Sequence, residues 1–336
     1  MNILMLAPLH NDDFQKIEKT FKKDSFVYST SQDVTQEMVE QCDVIVGNPN
    51  GHIDLNCSHL KALLLQSAGS EAFVKPGRLA PQIQLANASG TYGKAIAEHT
   101  IGMILTLNKN LKQYAMQMSQ HLWQHIPTGK EIYHSTVVIV GLGDLGYELA
   151  KRLKAFECHI IGVKRTKCPL PSHIDELYTT DCLDEVLPRA DFIILALPQT
   201  SETIHLIDQR RLMLMKKDAV LINIGRGSAI VSDDLIKVLK QGHLYGVGLD
   251  VIEEEPLSFE NELWDFENVL ITPHASGGYA WESARHYFTD LVIRNLHHLH
   301  NNEPLENEVD FQTGYRKVID YKLFFKAILL YSLLCI

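Results

Sequence analysis

Val137-Val138-Ile139-Val140-Gly141-Leu142-Gly143-Asp144-Leu145-Gly146 joins an apolar, β-branched run to a glycine triplet and then to an amphipathic stretch reaching residue 156. An apolar run bounded by glycine reads as a buried strand, and the stretch 144–156 has helical periodicity. The G-x-G-x-x-G therefore follows a strand and opens a helix. Each glycine serves a distinct physical purpose. Gly141 permits a tight turn, Gly143 lets the backbone approach a pyrophosphate, and Gly146 allows close packing of helix on strand. The first N–H groups of the helix and its dipole attract the anion. Asp144 and Leu145 lie inside the same motif, at the start of the helix, and are expected to contact the dinucleotide.

Outward from this motif, comparable apolar runs recur at 3–6, 44–46, 63–65, 160–163, 192–197, 220–224, 246–251 and 269–271, alternating with helical patterns such as 232–240. Alternation of this kind predicts an α/β chain with parallel sheets flanked by helices. One series ends before about Gly90 and a second begins near Ser135, with a long helical stretch at 92–120 between them and another at 277–301 after the last strand. A chain of 336 residues exceeds one ordinary core, so two doubly wound parallel-sheet lobes are expected.

Composition narrows the function. A net charge of −10 argues against nucleic acid, whose binders concentrate Lys and Arg on one face. The six cysteines, Cys42, Cys57, Cys158, Cys168, Cys182 and Cys335, show no C-x-x-C pair and no zinc spacing, so no metal site is expected and reduced thiols in the cytoplasm are the simplest reading. The N-terminal apolar run is short and has no basic residues before it, so it reads as a strand and not as a signal peptide. Residues 323–336 are almost wholly apolar but too few to span a bilayer, and no membrane association is expected.

The end of the second strand of such a unit selects the dinucleotide, because an acid about 20 residues beyond the motif would bind the ribose 2′-hydroxyl. This chain has Lys164-Arg165-Thr166 there. Two cations and a hydroxyl suit a 2′-phosphate, which favours NADP(H) over NAD(H); a solvated turn is the plain alternative.

Three further segments end predicted strands, where an open parallel sheet gathers ligand-binding groups. They are Ile222-Asn223-Ile224-Gly225-Arg226-Gly227, then Gly248-Leu249-Asp250-Val251-Ile252-Glu253-Glu254-Glu255-Pro256, then Leu270-Ile271-Thr272-Pro273-His274-Ala275-Ser276-Gly277. With the glycine motif, these supply in order N-x-x-R-G, D-V-x-x-x-E-P and T-P-H, and over about residues 40–315 the chain resembles the D-isomer-specific 2-hydroxyacid dehydrogenase family.

The resemblance implies a Rossmann dinucleotide-binding domain over 99–286 and a flavodoxin-like substrate domain built from 1–98 and 287–336. It implies reduction of a small 2-keto acid to a D-2-hydroxy acid, or the reverse. Arg226 falls on the family's substrate-binding arginine, His274 on its acid/base and Glu255 on the carboxylate that orients the histidine. Histidine suits proton delivery near neutral pH, and a planar guanidinium suits a carboxylate beside a carbonyl.

The resemblance further places Leu197, Pro198 and Thr203 beside the ribose and nicotinamide. It adds Ile224, Gly225, Ser276 and Gly277 to the cofactor contacts and sets Asp250 near the nicotinamide ring. Ala68, Gly69 and Ser70 match a loop whose N–H groups receive the substrate carboxylate, although Ser70-Glu71 departs from the usual A-G-V-D form. Glu98 and His99 read as structural. A homodimer is implied, with the stretch 96–120 at its interface and Trp123 either on the partner or in the core. Phosphoglycerate dehydrogenase and a dinucleotide-sensing corepressor are the alternatives.

Overall fold

Two separate parallel sheets carry the chain, in a computed structural model that describes residues 1–312 and 314–317. The apolar segment 323–336 and Cys335 lie outside the described residues. The chain divides into two units, one of 1–7, 15–88 and 291 onward, the other of 8–14 and 89–290.

In the first unit, β1 (Asn2–Met5), α1 (Asn11–Thr20), β2 (Ser25–Tyr28), α2 (Gln36–Glu40), β3 (Val44–Val46), β4 (Ala62–Leu64) and β5 (Gln84–Ala86) follow one another. The strand order is β2-β1-β3-β4-β5, with Ile3 in register with Phe26 on one side and Val44 on the other. This is the flavodoxin-like winding. Ile45, Leu63 and Leu85 are fully buried. Strand β2 was not legible in the sequence because it sits at the edge, where Val27 and Tyr28 remain exposed and no continuous apolar run is required.

The second unit begins with α3 (Gly93–Asn108) and α4 (Leu111–Ser119). There follow β6 (Thr136–Val140), α5 (Asp144–Leu153), β7 (His159–Lys164), β8 (Glu176–Thr179), α6 (Leu183–Val186), β9 (Phe192–Leu195) and α7 (Gln209–Leu214). Then come β10 (Val220–Asn223), α8 (Ser232–Lys240), β11 (Gly246–Leu249), β12 (Val269–Ile271) and α9 (Glu282–Asn301), whose last residues belong to the first unit. The order β12-β11-β10-β9-β6-β7-β8 reverses direction at β6, as in a Rossmann sheet.

Alternate residues of β6 serve two cores. Val138 and Val140 pack with Leu183, Leu187 and Leu235, whereas Val137 and Ile139 pack with Ile104, Leu149 and Leu153. Both faces are covered, which is why the strand is a continuous apolar run and not an alternating one. Burying each such side chain contributes about 1.5–3 kcal/mol before entropy is counted.

Two helices differ from the sequence reading. The stretch 92–120 is broken between α3 and α4 at Asn110, which sits at φ 54°, a left-handed conformation that asparagine tolerates. The last helix begins at Glu282 and not at 277, because Gly278 holds φ 141°. Among the described residues, no helix is long and apolar enough to cross a membrane. After α9, β13 (Val309–Asp310) and β14 (Tyr315–Arg316) form a short antiparallel pair, and Glu308 bridges to Ala86 of β5.

Candidate active site

The glycine motif forms a cradle at the point where the second sheet reverses. Gly141 has φ 104° and lies so close to the Ala196 carbonyl that a Cβ would overlap it, while Gly141 N–H donates to Val163 O at 2.9 Å. A Cβ on Gly146 would fall on the Gly141 carbonyl. Gly143, by contrast, is exposed, and a Cβ there would meet nothing within 4 Å. Two glycines are thus required by the protein's own packing, and the third leaves the backbone open beside the first turn of α5. That division suits a pyrophosphate approaching the helix N-terminus.

Other predicted cofactor residues assemble on the same sheet edge. A Cβ on Gly225 would come within 2.5 Å of Leu197 N and O, so these two backbones touch. Ile224 N donates to Leu195 O at 3.1 Å. Thr203 Oγ1 donates to Pro198 O at 2.7 Å and accepts from Thr200 N at 2.8 Å, closing the loop after β9. Lys164 ends β7 and is half-buried, and Arg165 and Thr166 beyond it are exposed. Asp144 Oδ2 accepts from Gly93 N at 3.0 Å, which ties the start of α5 to the start of α3.

Asn223, almost fully buried, shapes the N-x-x-R-G turn by donating to Arg226 O at 3.0 Å and accepting from Gly225 N at 3.2 Å. Arg226 is half-buried, with Nη1 donating to Gly225 O at 2.8 Å.

His274 and Glu255 are brought together: His274 Nδ1 lies 2.8 Å from Glu255 Oε2, and Glu255 Oε1 accepts from Ile252 N at 3.1 Å. Among the described residues His274 Nε2 has no hydrogen-bond partner. Its backbone is strained, at φ 51°. Such a conformation costs on the order of 1–3 kcal/mol for a non-glycine residue and persists only where the surroundings impose it. Here His274 N–H donates to both Asp250 O at 2.8 Å and Thr272 O at 2.9 Å.

Asp250, 1% exposed, organises this loop. Its Oδ1 accepts from Thr272 Oγ1 at 2.6 Å and Ala275 N at 2.9 Å, and its Oδ2 accepts from Ser276 N at 3.2 Å and from the Ser276 hydroxyl. His99 Nε2 reaches Thr272 Oγ1 at 3.1 Å, a link that sequence spacing gave no means of finding. Gly277 packs on Ile96 and Tyr92. Burial pushes the Tyr92 hydroxyl up to about 12 and holds Tyr279 well above its usual range, so both stay protonated behind the loop.

In the first unit, the loop after β4 is held from both neighbouring strands. Asn48, beyond β3, accepts from Gln66 N at 3.0 Å and donates to Ser67 Oγ at 3.0 Å, and Ser67 Oγ donates to Gly69 O at 2.6 Å. Asn87, beyond β5, donates to Ala68 O at 2.9 Å. Ser70 Oγ donates to Gly314 O at 3.0 Å. Among the described residues, the N–H groups of Ala68, Gly69 and Ser70 have no backbone acceptor. Neither Asn48 nor Asn87 was singled out from sequence, because each acts across a gap of about 20 residues with no motif to mark it.

Comparison with known proteins follows the same lines. A model of the D-isomer specific 2-hydroxyacid dehydrogenase NAD binding domain matches residues 101–276, just over half of the chain. A glyoxylate reductase of Pyrococcus furiosus is 32% identical over 289 residues, covering 83% of this chain and 80% of that protein. A D-isomer specific 2-hydroxyacid dehydrogenase family protein of Aeromonas salmonicida superposes with a TM-score of 0.82 at 28% identity, over 92% of this chain and 99% of that one. An NADPH-dependent glyoxylate/hydroxypyruvate reductase of Sinorhizobium meliloti, solved with NADP and sulfate, gives 0.76 at 25% identity over 94% and 99%. With its four ordered motifs, its glycine cradle and these relatives, the chain belongs to the D-isomer specific 2-hydroxyacid dehydrogenase family and is an NAD(P)-dependent D-2-hydroxyacid dehydrogenase.

Proposed function

We propose that this dehydrogenase interconverts a short 2-keto acid, of the glyoxylate or hydroxypyruvate class, and its D-2-hydroxy acid, with His274 as the acid/base. The observation that carries the reading is the 2.8 Å contact between His274 Nδ1 and Glu255, which orients the ring and leaves Nε2 for the substrate oxygen. A bound nicotinamide would supply or accept the hydride. Arg226 holds the substrate carboxylate and polarises the carbonyl, so that charge developing on oxygen meets a fixed donor. In the first unit, which we assign to substrate, the N–H groups of Ala68, Gly69 and Ser70 form an anion-binding turn.

The cradle residues Gly141, Gly143, Asp144, Leu145 and Gly146 would hold the pyrophosphate, with Leu197, Pro198, Thr203, Ile224, Gly225, Asp250, Ser276 and Gly277 around the ribose and nicotinamide. NADP(H) is the preferred form, because Lys164, Arg165 and Thr166 replace the acid that would bind a free 2′-hydroxyl. Arg165→Ala should raise the dissociation constant for NADPH more than that for NADH; equal changes would remove the phosphate argument. A phosphorylated substrate is less well supported, since Arg78, one of the few cations near the 66–70 loop in sequence, donates to the carbonyls of Ile53 and Asn50.

We further propose a cytoplasmic homodimer. The free thiols Cys42, Cys57, Cys158, Cys168 and Cys182 suit a reducing compartment. Met118 and Trp123, 74% and 104% exposed, are apolar surface of the kind that a second copy covers. Light scattering at a mass of one chain would refute the dimer.

The reaction is tested by following nicotinamide absorbance with purified protein, offering NADPH and NADH separately against glyoxylate, hydroxypyruvate, pyruvate and bulkier 2-keto acids. Oxidation with a short acid is expected. Tight dinucleotide binding without turnover on any of them, or on phosphohydroxypyruvate, would favour a sensing role.

A further inference from the structure

Glu253, Glu254 and Glu255 stand in a row, and only the last touches His274. All three are exposed, but Glu253 is engaged at both carboxylate oxygens. Its Oε1 lies 2.5 Å from His205 Nε2, and its Oε2 accepts from Ser232 N at 2.9 Å, at the first residue of α8. Burial works to raise the Glu253 carboxyl, yet the Ser232 N–H and His205 outweigh it and hold the group below its ordinary value, as a carboxylate.

The three segments that meet here all carry parts of the proposed site. His205 follows Thr203 of the loop after β9 by two residues and sits at φ 54°, its N–H donating to Ser228 O at 2.7 Å, while Ile207 N donates to Ala229 O at 2.9 Å. The Arg226 turn continues into Gly227, whose Cα rests so tightly on Ile252 and Glu253 that a Cβ would overlap their backbone. Ile252 N–H in turn donates to Glu255 Oε1 at 3.1 Å. Between the Glu253 anchor and Glu255 there is one residue, Glu254.

We infer that Glu253, held by His205 and Ser232, is a positioning residue that fixes the 252–255 segment and so sets Glu255 against His274. The inference rests on the proposed catalytic role of that pair. Its physical basis is that a misplacement of about 1 Å in a catalytic group costs on the order of a hundredfold, so a partial loosening should be visible as about tenfold.

The test uses the full chain with Glu253→Gln, His205→Ala and His205→Gln, and Glu254→Gln as a surface control. Amide hydrogen exchange of the protein without ligands reads the segment directly. Exchange at Ile252 should quicken about tenfold in Glu253→Gln and His205→Ala, and return towards wild type in His205→Gln, which keeps a donor. In turnover, kcat should fall about tenfold with little change in KM or in the dinucleotide dissociation constant. Faster exchange confined to Ser232 and the first turn of α8, with Ile252 unchanged, would reduce Glu253 to a helix cap and overturn the inference. So would unchanged kcat in both disrupted variants of an active enzyme. If wild type turns over no 2-keto acid, the catalytic reading fails separately, and exchange at Ile252 still decides whether Glu253 fixes the segment.

Discussion

The two sheets are both parallel and doubly wound, yet they hold the glycine-motif loop and the 66–70 loop, each at the carboxyl end of a strand, by opposite means. The seven-stranded sheet removes side chains: Gly141, Gly146, Gly225 and Gly227 let backbone lie against backbone, and the loops are positioned by contact. The five-stranded sheet adds them: Asn48 and Asn87 reach from the flanking strands and hold the 66–70 loop by hydrogen bonds. Steric positioning leaves a sequence signature because only glycine satisfies it. Bracing by amides leaves almost none, since many polar residues occupy loop ends.

The largest effect should come from the loop that depends on neither device alone. His274→Ala removes the proposed acid/base and should lower turnover by about 10²–10⁴, with dinucleotide affinity retained in a fluorescence titration. Normal turnover would detach the chemistry from this sheet.

Gly146→Ala tests steric positioning. The added methyl meets the Gly141 carbonyl, so both thermal stability and dinucleotide affinity should drop, the former by about 1–3 kcal/mol. An unchanged melting temperature would mean that α5 has room to shift. Asn48→Ala tests bracing in the other unit. Loss of two hydrogen bonds, worth about 1–2 kcal/mol together, should raise KM for the keto acid roughly tenfold while leaving the dinucleotide dissociation constant alone. A fall in dinucleotide affinity would show that the two units are not functionally separate.

The smallest effect sharpens the contrast with ordinary surface charge. Glu176 on β8 is held from 4.5 down to about 2 by Arg189, His159 and Tyr178. A depressed carboxyl contributes stability above its unfolded value, and that contribution is lost as pH falls through the folded value. Glu176→Gln should therefore trail wild type in urea unfolding at neutral pH by less than about 1 kcal/mol, because the network is exposed. The gap should narrow as pH falls below 4.5 towards about 2. A gap that widens with acid would reverse the assignment.

Legibility in the sequence follows the same physics. Strand β6 and its glycines were readable because burial on both faces demands an unbroken apolar run and close packing demands glycine. Arg226, Glu255 and His274 were located through ordered motifs, and the contact of the last two is in the structure. What sequence did not show was the support beneath them. Nothing in the sequence sets Glu253 apart from its neighbour Glu254, and the links of His99 to Thr272 and of Asn223 to Arg226 O join or shape loops through side chains that carry no periodic signal. Helix ends moved for a related reason: Asn110 and Gly278 adopt positive φ, a local choice that hydrophobic periodicity does not register.

The first unit is discontinuous, and its last contributions are substantial. Leu305 and Val309 are fully buried, Asn87 N donates to Asn307 O at 3.2 Å, and Glu308 bridges to the edge strand β5. A ribosome releases residues 89–290 before it has made any of these. Because domains tend to fold as units while synthesis proceeds, the first unit can close over β5 only after residues 89–290 have been made. That order makes the bridge between Ala86 and Glu308 one of the late contacts of the first unit.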